Sequence, residues 1–471
     1  MKQTLKLILA LALTAVLGAC SGKPQTKVKY VFYMIGDGMG INQVMGTEQY
    51  NAANGTGPAE INFAHFPVRG FVTTVSSSSL VTDSAAGGTA LSSGVKTYNS
   101  AIGVDADTLA VSSIADWAHE AGAGVGIVTS VGINHATPAC FYAHTEKRRN
   151  YDTIASQLIE TPVDFAAGAC FLVDKNSERT SADFEQQARD AGINVFHGPV
   201  FEGMASVDGR VICLSGKEET DLPYAIDRRE DDTSLSDFVR AGIDYLEGHF
   251  ADKGFFFMIE GGKIDYGGHG DDAAACFQEL TDFAAAVDLV LAFKERHPDE
   301  TLIVISADHE TGGLMLGAGK YEIHPERLAA QKASAPVLTT LFKETFFPEG
   351  QAYKAPAWEQ VKAFFSEQLG LWSSVEVSAE AETALKAIYD QTFGRGGDRN
   401  LSESNLYSVN SKLVSEAVKY LDKAAGYQWS YGSHSGSPVG LYADGRDAEA
   451  FVPIRDNTEI APTIARLAGW K

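Results

Sequence analysis

Residues 81–90 read VTDSAAGGTA, an acid directly before a serine and then small residues able to open a helix. A serine hydroxyl is a weak nucleophile at neutral pH, so Ser84 can do chemistry only where something stabilises its deprotonated oxygen. The free N–H groups of a helix N-terminus help, because they favour an oxyanion and an incoming anion alike. Metal ligands are plentiful elsewhere. Asp37 stands in GDGMG, and Glu260 opens EGGKIDYGGHG, where Asp265 and His269 are four apart among glycines that let a tight loop bring both to one ion. Asp308 and His309 are adjacent in ADHETGG, and His434 lies in YGSHSGSPV. Three histidines and four carboxylates suffice for two zinc-type sites with open positions and one harder, oxygen-rich site suited to magnesium. Alone, Asp83 reads as an ordinary N-cap. The recurrence of carboxylate and imidazole is what argues for chemistry.

Such residues need elements to carry them. KYVFYMIG (29–36), GVGIVTS (124–130), GFFFMIE (254–260) and TLIVISA (301–307) are almost continuously apolar, as strands buried on both faces of a parallel sheet are. Asp37, Glu260 and Asp308 then fall at the carboxyl ends of strands, where open α/β sheets bind ligands. Residues 271–296 place Phe277, Leu280, Ala284, Val287 and Leu291 at three- and four-residue steps, one helical apolar stripe. The alternation predicts an α/β fold, an α/β/α sandwich on a central, mostly parallel sheet. Residues 317–430 differ, with more charge and helix-like runs at 356–370, 379–393 and 403–425. They predict a helical insertion covering one sheet edge. Lying between His309 and His434, it must begin and end at the rim of the site. Its aromatic residues Trp358, Phe364, Phe365 and Trp372 either pack it down or form a cap over a substrate.

The 471-residue chain is long enough for one large elaborated domain or two. Its net charge of −23 argues against nucleic-acid binding, which rests on Lys and Arg meeting phosphates. An anionic small substrate would need local positive charge, most simply from metal ions. The opening MKQTLKLILALALTAVLGAC carries two lysines and an apolar run, Leu7 to Leu17, too short to span a bilayer. Its ending LGAC resembles a lipobox. Residues 1–19 are therefore expected to be a lipoprotein signal, Cys20 the lipid-bearing residue, 20–27 a tether and 28–471 the domain. The expected location is the bacterial membrane, facing the periplasm or the cell surface. Cys140, Cys170, Cys213 and Cys276 allow three disulfide pairings, among which sequence does not choose.

GDGMG, TDSAAGGTA, HATPACFYAHT, EGGKID, ADHETGG and HSG, in this order, resemble the alkaline phosphatase family. The resemblance implies a phosphomonoesterase with a serine nucleophile, Ser84, two zinc ions and one magnesium. Carried over residue by residue, it gives one zinc to Asp265, His269 and His434, the other to Asp37, Asp308 and His309, and magnesium to Asp37, Thr137 and Glu260. The phosphate-gripping arginine falls on Arg148 in AHTEKRRNY, with Arg149 as its neighbouring rival. His135 and Tyr266 occupy positions where relatives vary, so the third metal site and phosphate affinity are this chain's own. Small phosphate monoesters are the implied partners, and a homodimer is compatible with the family. The rival readings are a phosphodiesterase or sulfatase of the same two-metal superfamily, and a noncatalytic lipoprotein that binds metal or phosphate.

Overall fold

The computed structural model describes residues 27–216, 221–317, 321–348 and 354–471. The expected signal at 1–19, Cys20 and the tether as far as residue 26 lie outside the described residues. Among the described residues no helix is long and apolar enough to cross a membrane.

Nine strands form one sheet: β1 (Tyr30–Gly36), β2 (Val68–Val72), β3 (Gly124–Thr129), β4 (Phe165–Gly168), β5 (Asn194–His197), β6 (Val211–Leu214), β7 (Phe255–Gly261), β8 (Thr301–Ser306) and β9 (Val439–Gly445). Their spatial order is β2-β9-β8-β1-β7-β3-β4-β6-β5. Only β9 runs antiparallel to its neighbours, β8 and β2. The central strands β1, β7, β3 and β8 are buried along their whole length, which is why their sequences carry no polar alternation. Register then decides where the chemistry falls. Ile35 of β1 lies opposite Glu260 of β7 and Ser306 of β8, and Glu260 lies opposite Thr129 of β3. The in-register strands therefore bring Asp37, Thr129, Glu260 and Asp308 to one end of the sheet.

Helices cover the sheet. The longest, Ala273–Arg296, starts where the Asp272 carboxylate accepts the Ala275 N–H at 3.0 Å. Its predicted stripe holds: Phe277, Leu280, Ala284 and Val287 are buried, with Leu291 partly so. Phe293 meets Phe32 of β1 edge-on at 5.1 Å between ring centroids, locking the helix to the strand that carries Asp37.

The region 317–430 contains helices Ala335–Phe346, Trp358–Leu369, Ala379–Phe393 and Lys412–Ala425. Two expectations about it change. The run 403–425 is not one helix: Ser402–Ser404 and Val409–Ser411 pair as a hairpin before the last helix begins. Asn405 closes its tip, its side chain accepting the backbone N–H of Tyr407 at 2.9 Å and of Ser408 at 2.7 Å. The segment also packs on helix Ile41–Asn54 and the start of the long helix, not along a sheet edge. Gln331 donates to Asp272 at 2.8 Å and the Ala335 N–H to Asp272 at 2.9 Å, while Asp422 accepts the Ala273 N–H at 2.9 Å. Trp358, Phe364, Phe365 and Trp372 build this segment's own core; Phe365 stacks on Phe342 at 5.9 Å and Trp358 meets Trp372 at 5.9 Å.

Cys140, Cys170, Cys213 and Cys276 are all buried and none forms a disulfide. Burial pushes the Cys170 thiol up to about 12 and those of Cys140, Cys213 and Cys276 above the usual range as well.

Candidate active site

Ser84 opens the ten-residue helix Ser84–Ser93, and Asp83 caps it by accepting the Ala86 N–H at 3.0 Å. Small residues are needed here because the helix lies against the end of β8. A Cβ on Gly87 would come 2.7 Å from the carbonyl oxygen of Asp308. Gly38, at φ +70°, makes the turn after Asp37 where a Cβ would strike the Asp265 Cα and the Thr311 hydroxyl at 2.8 Å. The serine and the carboxylate strands thus reach one point.

Three buried groups of ligand atoms converge there: Asp265, His269 and His434; Asp37, Asp308 and His309; and Asp37, His135 and Glu260. The Ser84 hydroxyl lies 3.2 Å from His309 Nε2. His269 Nε2 and His434 Nε2 lie 3.1 Å apart, while their Nδ1 atoms face the carbonyls of Gly432 and Thr82, each at 3.0 Å. Those carbonyls fix the proton on Nδ1 and turn both Nε2 lone pairs inward, as metal ligation requires. His309 Nε2 sits 3.4 Å from both Asp37 and Asp308. Thr137 donates to Asp37 at 3.4 Å. Arg148 reaches in from the other side, Nη1 at 3.4 Å from Ser84 Oγ and 3.4 Å from Asp83, Nη2 at 3.2 Å from His135 Nε2. Its rival Arg149 is exposed.

The electrostatics are those of a site built for cations. Burial, then the charges of neighbouring carboxylates, raises Asp37 and takes Asp308 up to about 7. Burial likewise lifts Glu260 to about 7 against the hydrogen bonds of Thr129 and Thr137. Burial would raise Asp265 too, but the imidazoles of His269 and His434 hold it below the usual carboxylate range. Burial and the Arg148 charge lower His135 to about 3, and burial with His434 lowers His309, so both rings are neutral and able to offer a lone pair to a cation.

Four residues here escaped the sequence reading. Thr129 donates to Glu260, and Thr311 donates to Asp265 and lies 3.2 Å from His309 Nδ1. Asp83, read only as a cap, also holds Arg148. Tyr407, at the hairpin tip, stacks on Tyr266 at 3.7 Å and 16° and accepts from Arg148 at 3.4 Å.

A serine at a helix N-terminus, a guanidinium and three buried ligand groups at the carboxyl end of a parallel sheet define a metal-dependent hydrolase. The alkaline phosphatase family model matches residues 28–167 and 211–470, and the chain belongs to that family. Alkaline phosphatase 3 of Bacillus subtilis is 30% identical over 457 residues, spanning 93% of this chain and 89% of the relative. The cold-active alkaline phosphatase of a psychrophilic Shewanella sp. superposes with a TM-score of 0.75 at 28% identity, over 93% of this chain and 99% of its own. That of Thermus thermophilus does so at 0.75 and 25%, over 95% and 93%.

Proposed function

We propose that the protein hydrolyses phosphate monoesters through a covalent phosphoserine at Ser84, supported by two zinc ions and one magnesium. The observation that carries this reading is the position of the Ser84 hydroxyl, between the ligand His309 and the fork of Arg148. The residues fit the ions. Each of the four carboxylates keeps one buried oxygen without a hydrogen-bond partner: Asp37 Oδ1, Glu260 Oε1, Asp265 Oδ2 and Asp308 Oδ2. Cations would give these oxygens the partners that the protein withholds. Asp265, His269 and His434 would hold one zinc, and Asp37, Asp308 and His309 the other; Asp37, Thr137 and Glu260 would hold magnesium. His135 also reaches the third group, and its buried Nδ1 has no partner. That nitrogen shifts the third site toward a softer divalent ion than an all-oxygen set would select.

When bound, the cations supply Lewis acidity that lowers the pKa of the Ser84 hydroxyl and stabilises the departing oxygen. Arg148 grips two phosphoryl oxygens, a task its planar fork does better than a lysine, and Asp83 holds that fork in place. Tyr407 buttresses the guanidinium from outside. Ser84 Oγ gives its proton to solvent and attacks phosphorus in line, the ester P–O bond breaks, and the leaving oxygen takes a proton from solvent to depart as the alcohol; water then attacks phosphorus, the Ser84 Oγ–P bond breaks, and the proton that water loses restores the Ser84 hydroxyl. Acid quenching during turnover of a labelled monoester should trap phosphate on Ser84, and Ser84→Ala should lose the label and several orders of magnitude in rate. Label on another residue would refute the assignment. Relative rates on a monoester, a diester and a sulfate ester separate this reading from its superfamily rivals.

For the N-terminus we propose export, cleavage before Cys20 and lipid attachment there. Intact mass and membrane partition of Cys20→Ala test it; a mature chain starting well beyond residue 20 without lipid would exclude it.

A further inference from the structure

A cleft of about 710 Å³ adjoins the reaction centre. One wall is the site's own: His135, Tyr266 and Tyr407. The opposite wall includes Phe171, Arg179 and Ala182. This second wall belongs to residues 168–210, the stretch outside the ranges matched by the family. The cleft therefore forms where a segment outside the ranges matched by the family is laid against residues inside them. Tyr407 joins the two spaces. Its hydroxyl is 3.4 Å from Arg148 Nη2 and its ring centroid 5.3 Å from that of His269, so it borders the phosphoryl position and the cleft at once.

We propose that this cleft is a leaving-group subsite that selects nucleoside 5′-monophosphates, with the phosphoryl group between Ser84 and Arg148 and the nucleoside in the cleft. The inference rests on the monoesterase reading above and adds the substrate class. Size is the first argument: the volume lies in the range of roughly 300–1,000 Å³ that holds drug-sized ligands, far more than a small alkyl alcohol fills. Surface is the second. Tyr407 is half-buried, and with one face taken by the stack on Tyr266 it leaves its other face and edge for a base. Charge is the third. Arg179 is the one fixed cation among the described lining residues, and it is already engaged: its guanidinium lies 3.5 Å from the Phe184 ring centroid and it donates to Gln187 at 2.6 Å. Glu185 and Asp221 also line the cleft, Glu185 held 3.0 Å from His197 and Asp221 accepting from the Tyr266 hydroxyl at 3.2 Å. Such a lining repels a second phosphate and offers acceptors to the hydroxyl and amino groups of a nucleoside.

The test compares kcat/KM for adenosine 5′-monophosphate, ribose 5-phosphate and ethyl phosphate on the metal-replete full-length protein. Ribose 5-phosphate keeps the leaving alcohol and removes the base. The expected preference for the nucleotide over ribose 5-phosphate is about tenfold or more, the scale of one base–aromatic contact. Ala182→Trp, at an exposed position on the rim, should erase that preference while ethyl phosphate turnover and inhibition by inorganic phosphate stay within about twofold. Adenosine alone should inhibit ethyl phosphate hydrolysis by the unmodified protein, a measurement that needs no variant. Equal kcat/KM on all three substrates with no inhibition by adenosine overturns the subsite and leaves the monoesterase reading standing. Preference for a sugar bisphosphate would place a second anion at Arg179 and overturn the nucleoside assignment. No hydrolysis of any of them removes both readings.

Discussion

Stripping the metals by exhaustive chelation and titrating zinc and magnesium back should release more protons at pH 6 than at pH 8. Asp308 and Glu260 sit at about 7 in the folded chain, so each is about nine-tenths protonated at pH 6 and about one-tenth at pH 8. A cation binds only the ionised carboxylate, so these two groups surrender about two protons at the lower pH and about 0.2 at the higher. Asp37, raised as well, can only add to the release. His135 and His309 contribute little, because burial has already made them neutral. Affinity should fall accordingly, by roughly a hundredfold or about 3 kcal/mol between pH 8 and pH 6. The carboxyl shifts are upward, so their stabilisation of the metal-free fold is whole below about pH 4 and is lost as pH climbs through 7. The lowered histidines act oppositely, adding stability as pH rises toward the ordinary histidine value near 6.5. The two trends blunt any change in melting temperature, so protons are the better observable. Calorimetric titration in pairs of buffers with different ionisation enthalpies counts them. A count at pH 6 no larger than at pH 8 would refute the picture of mutually raised carboxyls.

Gly87→Ala should force the nucleophile helix off Asp308, because its Cβ would lie 2.7 Å from that backbone oxygen. The overpacking costs about 1–3 kcal/mol, and the displaced serine lowers kcat by on the order of tenfold to a hundredfold; an unchanged kcat would count against the close approach. Tyr407→Phe keeps the stack on Tyr266 and removes the hydrogen bond to Arg148, so KM should rise by about two- to fivefold with kcat nearly constant. A hundredfold loss in kcat would instead give the hydroxyl a part in the chemistry. Unfolded without reductant, the protein should show reactive thiols at Cys140, Cys170, Cys213 and Cys276 on peptide mapping, and the folded protein should label slowly at all four. Recovery of a disulfide-linked peptide between any two would contradict the buried, separate thiols.

The candidate site was legible because most of the residues that could hold a cation sit beside a strong local signal. Asp37, Glu260 and Asp308 terminate apolar runs that can only be buried strands, and parallel register carries their ends to one place. What escaped depends on long-range pairing. Tyr407 reaches Tyr266 across 141 positions of chain, through a hairpin of SES and VNS whose short polar strands lack an apolar alternation and merge with the helix that follows. Asn405 was the one local clue to that turn. Thr129 reads as an ordinary strand residue and Thr311 as part of the turn after a strand, since a threonine that orients a carboxylate differs from one that does not only by its neighbour in space. The wall at 171–182 carries no motif at all, and the cleft exists only once that segment is folded against the hairpin.

One small ladder sets how freely this protein can be lengthened or trimmed. His434 pairs with Thr311 across two antiparallel residues, and the Gly312 N–H donates to Ser433 at 2.8 Å. The 122 residues between the paired positions therefore form a closed loop, pinned at its base beside His309 and His434. Loop-closure entropy grows only with the logarithm of length, so tripling such a loop from a few dozen residues costs about 1 kcal/mol. Chain can be gained beyond that clasp at little entropic cost so long as the contacts that reach down from it survive: Tyr407 on Arg148 and Tyr266, and Gln331 and Asp422 at the start of the long helix. An engineer seeking an insertion point would choose turns away from those residues and keep the Thr311–His434 clasp intact.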